Sequence, residues 1–273
     1  MIDYEALCNE VMAVVRTVGD YIREEAGHFD AGKIEIKGRH DLVSYVDRHA
    51  EELLVATLVK LLPEAGFITE EKTIQKEGPE FTWIIDPLDG TTNFIQGIPV
   101  YSVSVALMEH DKLVLGVVYE LGRDELFYAW SGGPAFLNGT VIQVSRQKDL
   151  DNSVIATGFP YNDFKQLDAY MQLMKQVIVS CRGLRRLGSA AVDIAYVACG
   201  RYEAYYEYNI NSYDIAGGMF VLQQAGGILT SFTGEASAPS IFKARQVLAA
   251  NRFIHEKMLE AVDMNFNRFN APH

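Results

Sequence analysis

A layered mixture of sheets and helices, of the α/β or α+β kind, is the fold class this sequence predicts, and three observations predict it. Ahead of Pro63, apolar residues recur at helical spacing. From Tyr101 to Trp130 the pattern becomes β-branched runs between short turns. Beyond residue 150, strand-like and helix-like stretches alternate.

In chain order, Leu7, Val11, Val14, Val15, Val18 and Ile22 predict a first amphipathic helix. Ala50, Leu53, Leu54, Leu58, Leu61 and Leu62 predict a second, which Pro63 stops. Between them GKIEIKGRHDLVSYVD has short alternation and turn residues and reads as a loop or hairpin. FTWIID reads as a buried strand. YSVSVALME, LVLGVVYE and ELFYAW predict an antiparallel meander, with His110-Asp111-Lys112 and a Gly122-containing turn between its members. The second half predicts strand SVIATGF, helix AYMQLMKQVIV, helix SAAVDIAYVACG, strand YEAYYEY, helix DIAGGMFVLQQAGG and strands ILTSF and QVLAAN. A last helix is expected from about Phe253 to Phe266. With no Pro/Ser-rich linker, repeat or low-complexity tract, residues 1–273 are expected to form one compact unit with lobes near 1–150 and 151–273.

The chain has 273 residues, 49% of them hydrophobic and 22% charged, enough for a sizeable core. Its net charge of −12 argues against binding the nucleic-acid backbone. It leaves room for a phosphate-bearing small molecule if cations accompany it. Cys8, Cys181 and Cys199 are odd in number and far apart, which fits a reducing compartment rather than a disulfide framework or zinc site. MIDYEALCNE lacks the pattern of a signal peptide, and no apolar run approaches the ~20 residues needed to cross a bilayer. A soluble, cytoplasmic protein is the expectation.

The stretch WIIDPLDGTTNF carries the chemistry. Asp86 and Asp89 stand three apart, so on a regular strand they face opposite sides. Pro87 disfavours helix at Asp86, so a turn at Pro87-Leu88 is expected to fold both carboxylates and the Leu88 carbonyl together. Gly90 permits a tight backbone, and Thr91 and Thr92 follow where a helix can begin with free N–H groups. Two carboxylates and a carbonyl suit Mg²⁺ or Mn²⁺, and amides beside them suit phosphate. An ordinary β-turn explains the same residue types.

One carboxylate pair holds a divalent cation weakly, so further ligands are sought. FITEEKT places Glu70 and Glu71 at the end of an apolar run, where a solvated acidic turn is the alternative. INSYDIAGG places Asp214 immediately before a helix, where an N-cap is the alternative. Asp47, in DLVSYVD, has the same ambiguity. In GSAAVD, Ser189 and nearby amides can face substrate hydroxyls, or small residues can simply let helices pack. Glu207 can accept from a polyol or be an edge-strand surface residue, and Lys37 can balance charge near the metals or be solvated.

Taken together these segments resemble the inositol monophosphatase family. DPLDGTTNF matches its first motif, YDIAGGMFVLQQAGG looks like its second, and TEE stands where the family has its glutamate. KGRHDLVSYVD, GLRRLGSAAVDIAYVACG and YYE fit in order and spacing, so the resemblance covers nearly the whole chain. It implies a layered α-β-α-β-α sandwich, with Glu70, Asp86, Asp89, Asp214 and the Leu88 carbonyl as metal ligands. By the same resemblance Thr91 and Asp47, with Glu70, serve the attacking water, and Gly90 and Thr91 amides hold phosphate. Gly188, Ser189, Ala190 and Glu207 line the alcohol pocket, with Asp89 and Asp214 also at the substrate. Tyr213 departs from the family, which usually has Trp there.

The implied activity is Mg²⁺-dependent hydrolysis of inositol monophosphate, with two or three cations per site and inhibition by lithium. A small-molecule phosphate monoester is the expected partner, and a homodimer the expected assembly. Relatives that cleave fructose 1,6-bisphosphate, 3′-phosphoadenosine phosphate or histidinol phosphate give alternatives, as does a fold member with a regulatory macromolecule-binding role. Converging acids repel: at an effective dielectric of ~20, two charges 4 Å apart interact by roughly 4 kcal/mol. Without cations the cluster is expected to protonate in part or splay.

Overall fold

The computed structural model describes residues 2–28, 35–38, 41–43, 45–160 and 163–267, with 35–38, 41–43 and 267 as backbone only. Helix α1 (Tyr4–Ala26) starts at Asp3, whose carboxylate accepts from the amides of Glu5 and Ala6 at 3.1 Å. Its buried stripe is Cys8, Val11, Val15, Val18 and Ile22. Strands β1 (Glu35–Gly38) and β2 (Asp41–Val43) pair antiparallel as a hairpin. Lys37 has its side chain outside the described residues. Helix α2 (Tyr45–Leu61) ends ahead of Pro63.

The larger sheet holds β3 (Gly66–Thr69), β4 (Phe81–Asp89), β5 (Ser102–Glu109), β6 (Lys112–Glu120), β7 (Glu125–Trp130), β8 (Phe136–Leu137) and β9 (Thr140–Val141). A short helix α3 (Thr91–Ile95) follows β4. Strand order is sequential, with β3 parallel to β4 and the later neighbours antiparallel, so the expected meander is present.

The second half forms β10 (Val154–Thr157), α4 (Leu167–Ser180), β11 (Gly183–Arg185), α5 (Ala190–Ala198), β12 (Ala204–Tyr208) and α6 (Ser212–Gln224). It continues through β13 (Ile228–Thr230), α7 (Ala238–Ala244), β14 (Gln246–Ala250) and α8 (His255–Val262), which runs into a wider π turn at Asp263–Asn267. These strands order as β11-β10-β12-β14-β13, with β12 at the centre.

Three apolar clusters join the layers. Val11, Val15, Leu54 and Leu58 of α1 and α2 pack on Trp83, Val103 and Leu115 of the larger sheet. Ile194, Met219 and Phe220 of α5 and α6 fill the space between Val118 and Phe127 of that sheet and Tyr205 and Val247 of the smaller one. Tyr170, Leu173 and Met258 of α4 and α8 cover Ile155, Tyr206 and Leu248 on the far side. The order is α-β-α-β-α. Along β12 the faces alternate, Tyr205 inward and Tyr206 outward, so Glu207 points the same way as Tyr205, toward the middle layer.

Strand β4 departs from the sequence expectation at the position that matters most. It pairs residue for residue with β5 as far as Asp86↔Ser104, and its next partner pair is Asp89↔Ser102. Three residues on β4 therefore match two on β5, which is a β-bulge rather than a turn at Pro87-Leu88. Ser102 and Ser104 share a face of β5, so Asp86 and Asp89 share one too. The bulge shifts the side-chain phase by one residue without leaving the sheet, and Pro87, with no N–H, is tolerated where the ladder is interrupted.

Candidate active site

A cavity of about 220 Å³ opens where β4 ends. From the first half it is lined by Glu70, Asp86, Leu88, Asp89, Gly90 and Thr91, and from the second by Gly188, Ser189, Ala190, Glu207 and Asp214. Glu70 directly follows β3, and its amide donates to the Ile85 carbonyl of β4 at 3.3 Å, which places it beside Asp86. Asp47 stands behind the wall, buried in the first turn of α2. Its Oδ1 lies 2.8 Å from the Thr91 hydroxyl, which is also 3.0 Å from the Leu88 carbonyl oxygen. Thr91 has one proton for these two acceptors, and its oxygen keeps lone pairs free to accept from a water in the cavity.

Gly90 makes the transition from bulge to α3. Its φ of 100° lies in the left-handed region, where a side chain is strained. Asn93, buried in α3, donates to the Val100 and Leu187 carbonyls at 2.7 and 2.8 Å and so ties this turn to the loop that carries Gly188.

Asp89 is held from across the chain. Its Oδ2 accepts from the Ser189 hydroxyl and the Ala191 amide, both at 2.7 Å. Ser189 is the N-cap of α5, accepting from the Val192 amide at 3.3 Å. Its proton goes to Asp89, and the hydroxyl lines the cavity, where the sequence reading had it face the substrate. For Asp214 the N-cap alternative is excluded, and its expected place immediately before the helix is corrected. It is the third residue of α6 rather than its N-cap: Asn211 takes the cap, and its amide donates to Asp214 Oδ2 at 2.7 Å.

The electrostatics are those of crowded acids. Burial, then Asp214, pushes the Glu70 carboxyl well above its usual range, and burial, then Glu70, does the same to Asp86. Burial, then Asp89, raises Asp214 to about 7. Burial raises Asp89 to about 6, against the hydrogen bonds from Ser189 and Ala191. The charges of Glu70, Asp89 and Asp214 all act on Asp86. Among the described residues no three His, Cys, Asp or Glu side chains stand in closed metal-ligand geometry. The donor set itself, carboxylates and a carbonyl with no soft atom, fits a hard divalent cation.

Glu207 lies on the central strand of its sheet and is 7% exposed, so the edge-strand alternative is excluded. Tyr205 donates its hydroxyl to it, and burial pushes its carboxyl up to about 8.

Two further residues were not legible as site residues. Asp193, on α5, is buried in the cavity wall. Glu51, on α2 one turn beyond Asp47, accepts from the Glu71 and Thr73 amides at 2.7 and 2.8 Å and from the Thr73 hydroxyl at 2.7 Å, so it clamps the loop that carries Glu70. A signal existed for each: Glu51 sits between Ala50 and Leu54 on the apolar face, and Asp193 interrupts the run Ala190–Ala198.

With the fold and cavity established, comparison with known proteins places the chain in a family. The model of the inositol monophosphatase family matches residues 3–265, and the chain belongs to that family. It is 35% identical over 258 residues to the inositol-1-monophosphatase of Mesorhizobium japonicum, covering 94% of this chain and 96% of that one. It is 37% identical over 235 residues to the Nus factor SuhB of Pseudomonas aeruginosa, covering 84% of this chain and 87% of the relative. The crystal structure of the extragenic suppressor protein suhB from Bartonella henselae superposes with a TM-score of 0.89 at 36% identity, covering 94% and 98% of the two chains.

Proposed function

We propose that this protein is a Mg²⁺-dependent phosphomonoesterase that hydrolyses inositol monophosphate to inositol and phosphate. The observation that carries the proposal is the meeting of Glu70, Asp86, Asp89 and Asp214, from three separate segments, in one cavity with Thr91 backed by Asp47. Family membership and the relative named inositol-1-monophosphatase support it. The four carboxylates and the Leu88 carbonyl would hold two or three Mg²⁺, or Mn²⁺ in their place. Bound cations would supply Lewis acidity, offsetting charge on the ester and the leaving alkoxide and acidifying water.

The chain's own residues do the rest. Thr91 donates to Asp47 and accepts from the attacking water, aiming its oxygen at phosphorus, while Asp47 takes up the proton. Gly90 and Thr91, at the first turn of α3, hold the phosphate oxygens. Gly188, Ala190 and Glu207 wall the alcohol, while Ser189 holds Asp89. We assign the attack to water: no cysteine lines the cavity, and the Thr91 and Ser189 hydroxyls already donate to Asp47 and Asp89. Among the described residues no helix is long and apolar enough to cross a membrane. A cytoplasmic homodimer is the setting we infer.

Relatives bearing the name Nus factor support a second reading, a fold member that also engages a macromolecule. A purely regulatory role gives no reason for this set of acids to share one cavity. The test is phosphate release with Mg²⁺ from inositol 1-phosphate, fructose 1,6-bisphosphate, histidinol phosphate and adenosine 3′,5′-bisphosphate. The highest kcat/KM is expected on inositol 1-phosphate. Release from none of them removes the phosphatase reading, and preference for another substrate reassigns the alcohol.

A further inference from the structure

Glu207 reaches the cavity across a residue that has no side chain. Gly158 directly follows β10, is buried and lines the cavity. A Cβ on it would stand 1.8 Å from Glu207 Oε2, 2.0 Å from Cδ and 2.3 Å from Oε1. Non-bonded heavy atoms settle at about 3.5–4.0 Å, so the Glu207 carboxyl fills the space that any other residue at 158 would need.

The pairing of β10 with β12 sets up this meeting. Ala156 is level with Tyr205 and Thr157 with Tyr206, so one further step brings Gly158 level with Glu207. Side chains alternate along both strands, and Ala156 and Tyr205 both pack into the middle layer, so position 158 and Glu207 face the same way. Neither backbone is free to give way. The buried Tyr170 hydroxyl of α4 donates to the Gly158 carbonyl, and the Thr157 hydroxyl donates to the Tyr206 carbonyl at 2.8 Å. On its other side β12 is held by β14, from Ala204↔Ala250 to Tyr208↔Gln246. What can move is the Glu207 side chain. Tyr205 donates to its Oε2, while Oε1 takes no hydrogen bond from the protein and is open to the cavity. The seat over Gly158 therefore decides where that acceptor is offered to the alcohol.

We propose that Gly158 is a positioning residue for substrate recognition: the space left by its missing side chain seats the Glu207 carboxyl where Oε1 accepts from a hydroxyl of a polyol phosphate. The assignment rests on the phosphatase reading above and names what holds the alcohol-reading acid in place. Gly158 itself touches no reacting atom. A side chain at 158 dislodges the carboxyl and so weakens recognition of a hydroxyl-bearing alcohol, whereas an ester without such hydroxyls loses no contact of this kind.

The experiment compares kcat/KM for myo-inositol 1-phosphate with that for p-nitrophenyl phosphate, which has no hydroxyls on its leaving group. It uses wild type, Gly158→Ala, Glu207→Ala and the double variant. Each single variant is expected to lower the ratio of the two values about 10-fold, chiefly through KM for the inositol ester, the scale of one lost specific contact. In the double variant the ratio should match that of Glu207→Ala within about 2-fold, because the glycine acts through the carboxyl and has nothing left to position. A further fall in the double variant, equal losses on both esters, or an unchanged ratio in either single variant overturns the assignment. Should Gly158→Ala not fold, recovery of the fold in the double variant supports the assignment and its failure overturns it. In all of these outcomes the wild type still cleaves the inositol ester and the phosphatase reading stands. A wild type that cleaves neither ester overturns both.

Discussion

Thr91 joins the two halves of the proposed chemistry in one side chain, because a single hydroxyl faces Asp47 at 2.8 Å and the Leu88 carbonyl at 3.0 Å while lining the cavity. Replacing it with alanine removes the group that orients the water and leaves the acids in place. Thr91→Ala is expected to lower kcat by about 10²–10⁴-fold. Mg²⁺ affinity, measured by calorimetric titration, should stay within about 2-fold, since no metal-ligating oxygen is lost. At this scale much of the site was legible. Asp86, Asp89, Glu70 and Asp214 stand at the ends of apolar runs, where a charge has to be explained. Glu51 and Asp193 were passed over: each interrupts an apolar face, but a charge on a helix is easily read as a solvated spoke until the packing around that helix is known.

Among the elements, α6 matters most for the cavity, because it carries Asp214 and packs against β6 through glycine on both partners. A Cβ at Gly116 of β6 would stand 2.5 Å from the Gly217 carbonyl oxygen, which is backbone and cannot turn away. Gly116→Ala therefore has to push α6 off the sheet. The expected destabilisation is about 1–3 kcal/mol, read from the shift in denaturant midpoint, with a drop in kcat as Asp214 moves. The long helices and the meander were legible from their periodicities. The three-residue β11, the two-residue β8 and β9, and α7 were not, being too short to show a period. The β4 bulge was misread as a turn for a related reason: a one-residue phase shift depends on how β5 pairs with it, and that pairing is not local.

Across the whole molecule, the acids gathered between the two sheets link stability to pH and to cations. Burial and Asp89 raise Asp214 to about 7 from an ordinary 3.8, and burial raises Glu207 to about 8 from 4.5. Unfolded, both ionise at their ordinary values, so between those values and the raised ones the folded chain binds more protons. Stability therefore falls as pH rises through this window, and the penalty is fully developed above the raised values. In EDTA, the Tm from scanning calorimetry is expected to fall by several degrees from about pH 5 to about pH 8, following that slope. A Tm that rises over this range contradicts the burial of these acids. Mg²⁺, which requires them ionised, is expected to raise Tm more at the upper pH than at the lower. We also propose that residues 1–273 unfold as one unit, because α5 and α6 pack on both sheets at once; a single calorimetric transition is the expected result.

The most direct measurement is phosphate release from inositol 1-phosphate as Mg²⁺ is titrated into metal-free protein, in wild type and in Asp89→Asn. Wild type should rise from no turnover to saturation and return to none with EDTA. Asp89→Asn, folded as judged by circular dichroism, should stay at least about 10³-fold below it at every Mg²⁺ concentration, as expected when a cation-holding oxygen at the reacting centre is lost. Turnover that persists in EDTA, or an Asp89→Asn variant as active as wild type, would contradict a catalytic centre built on these carboxylates.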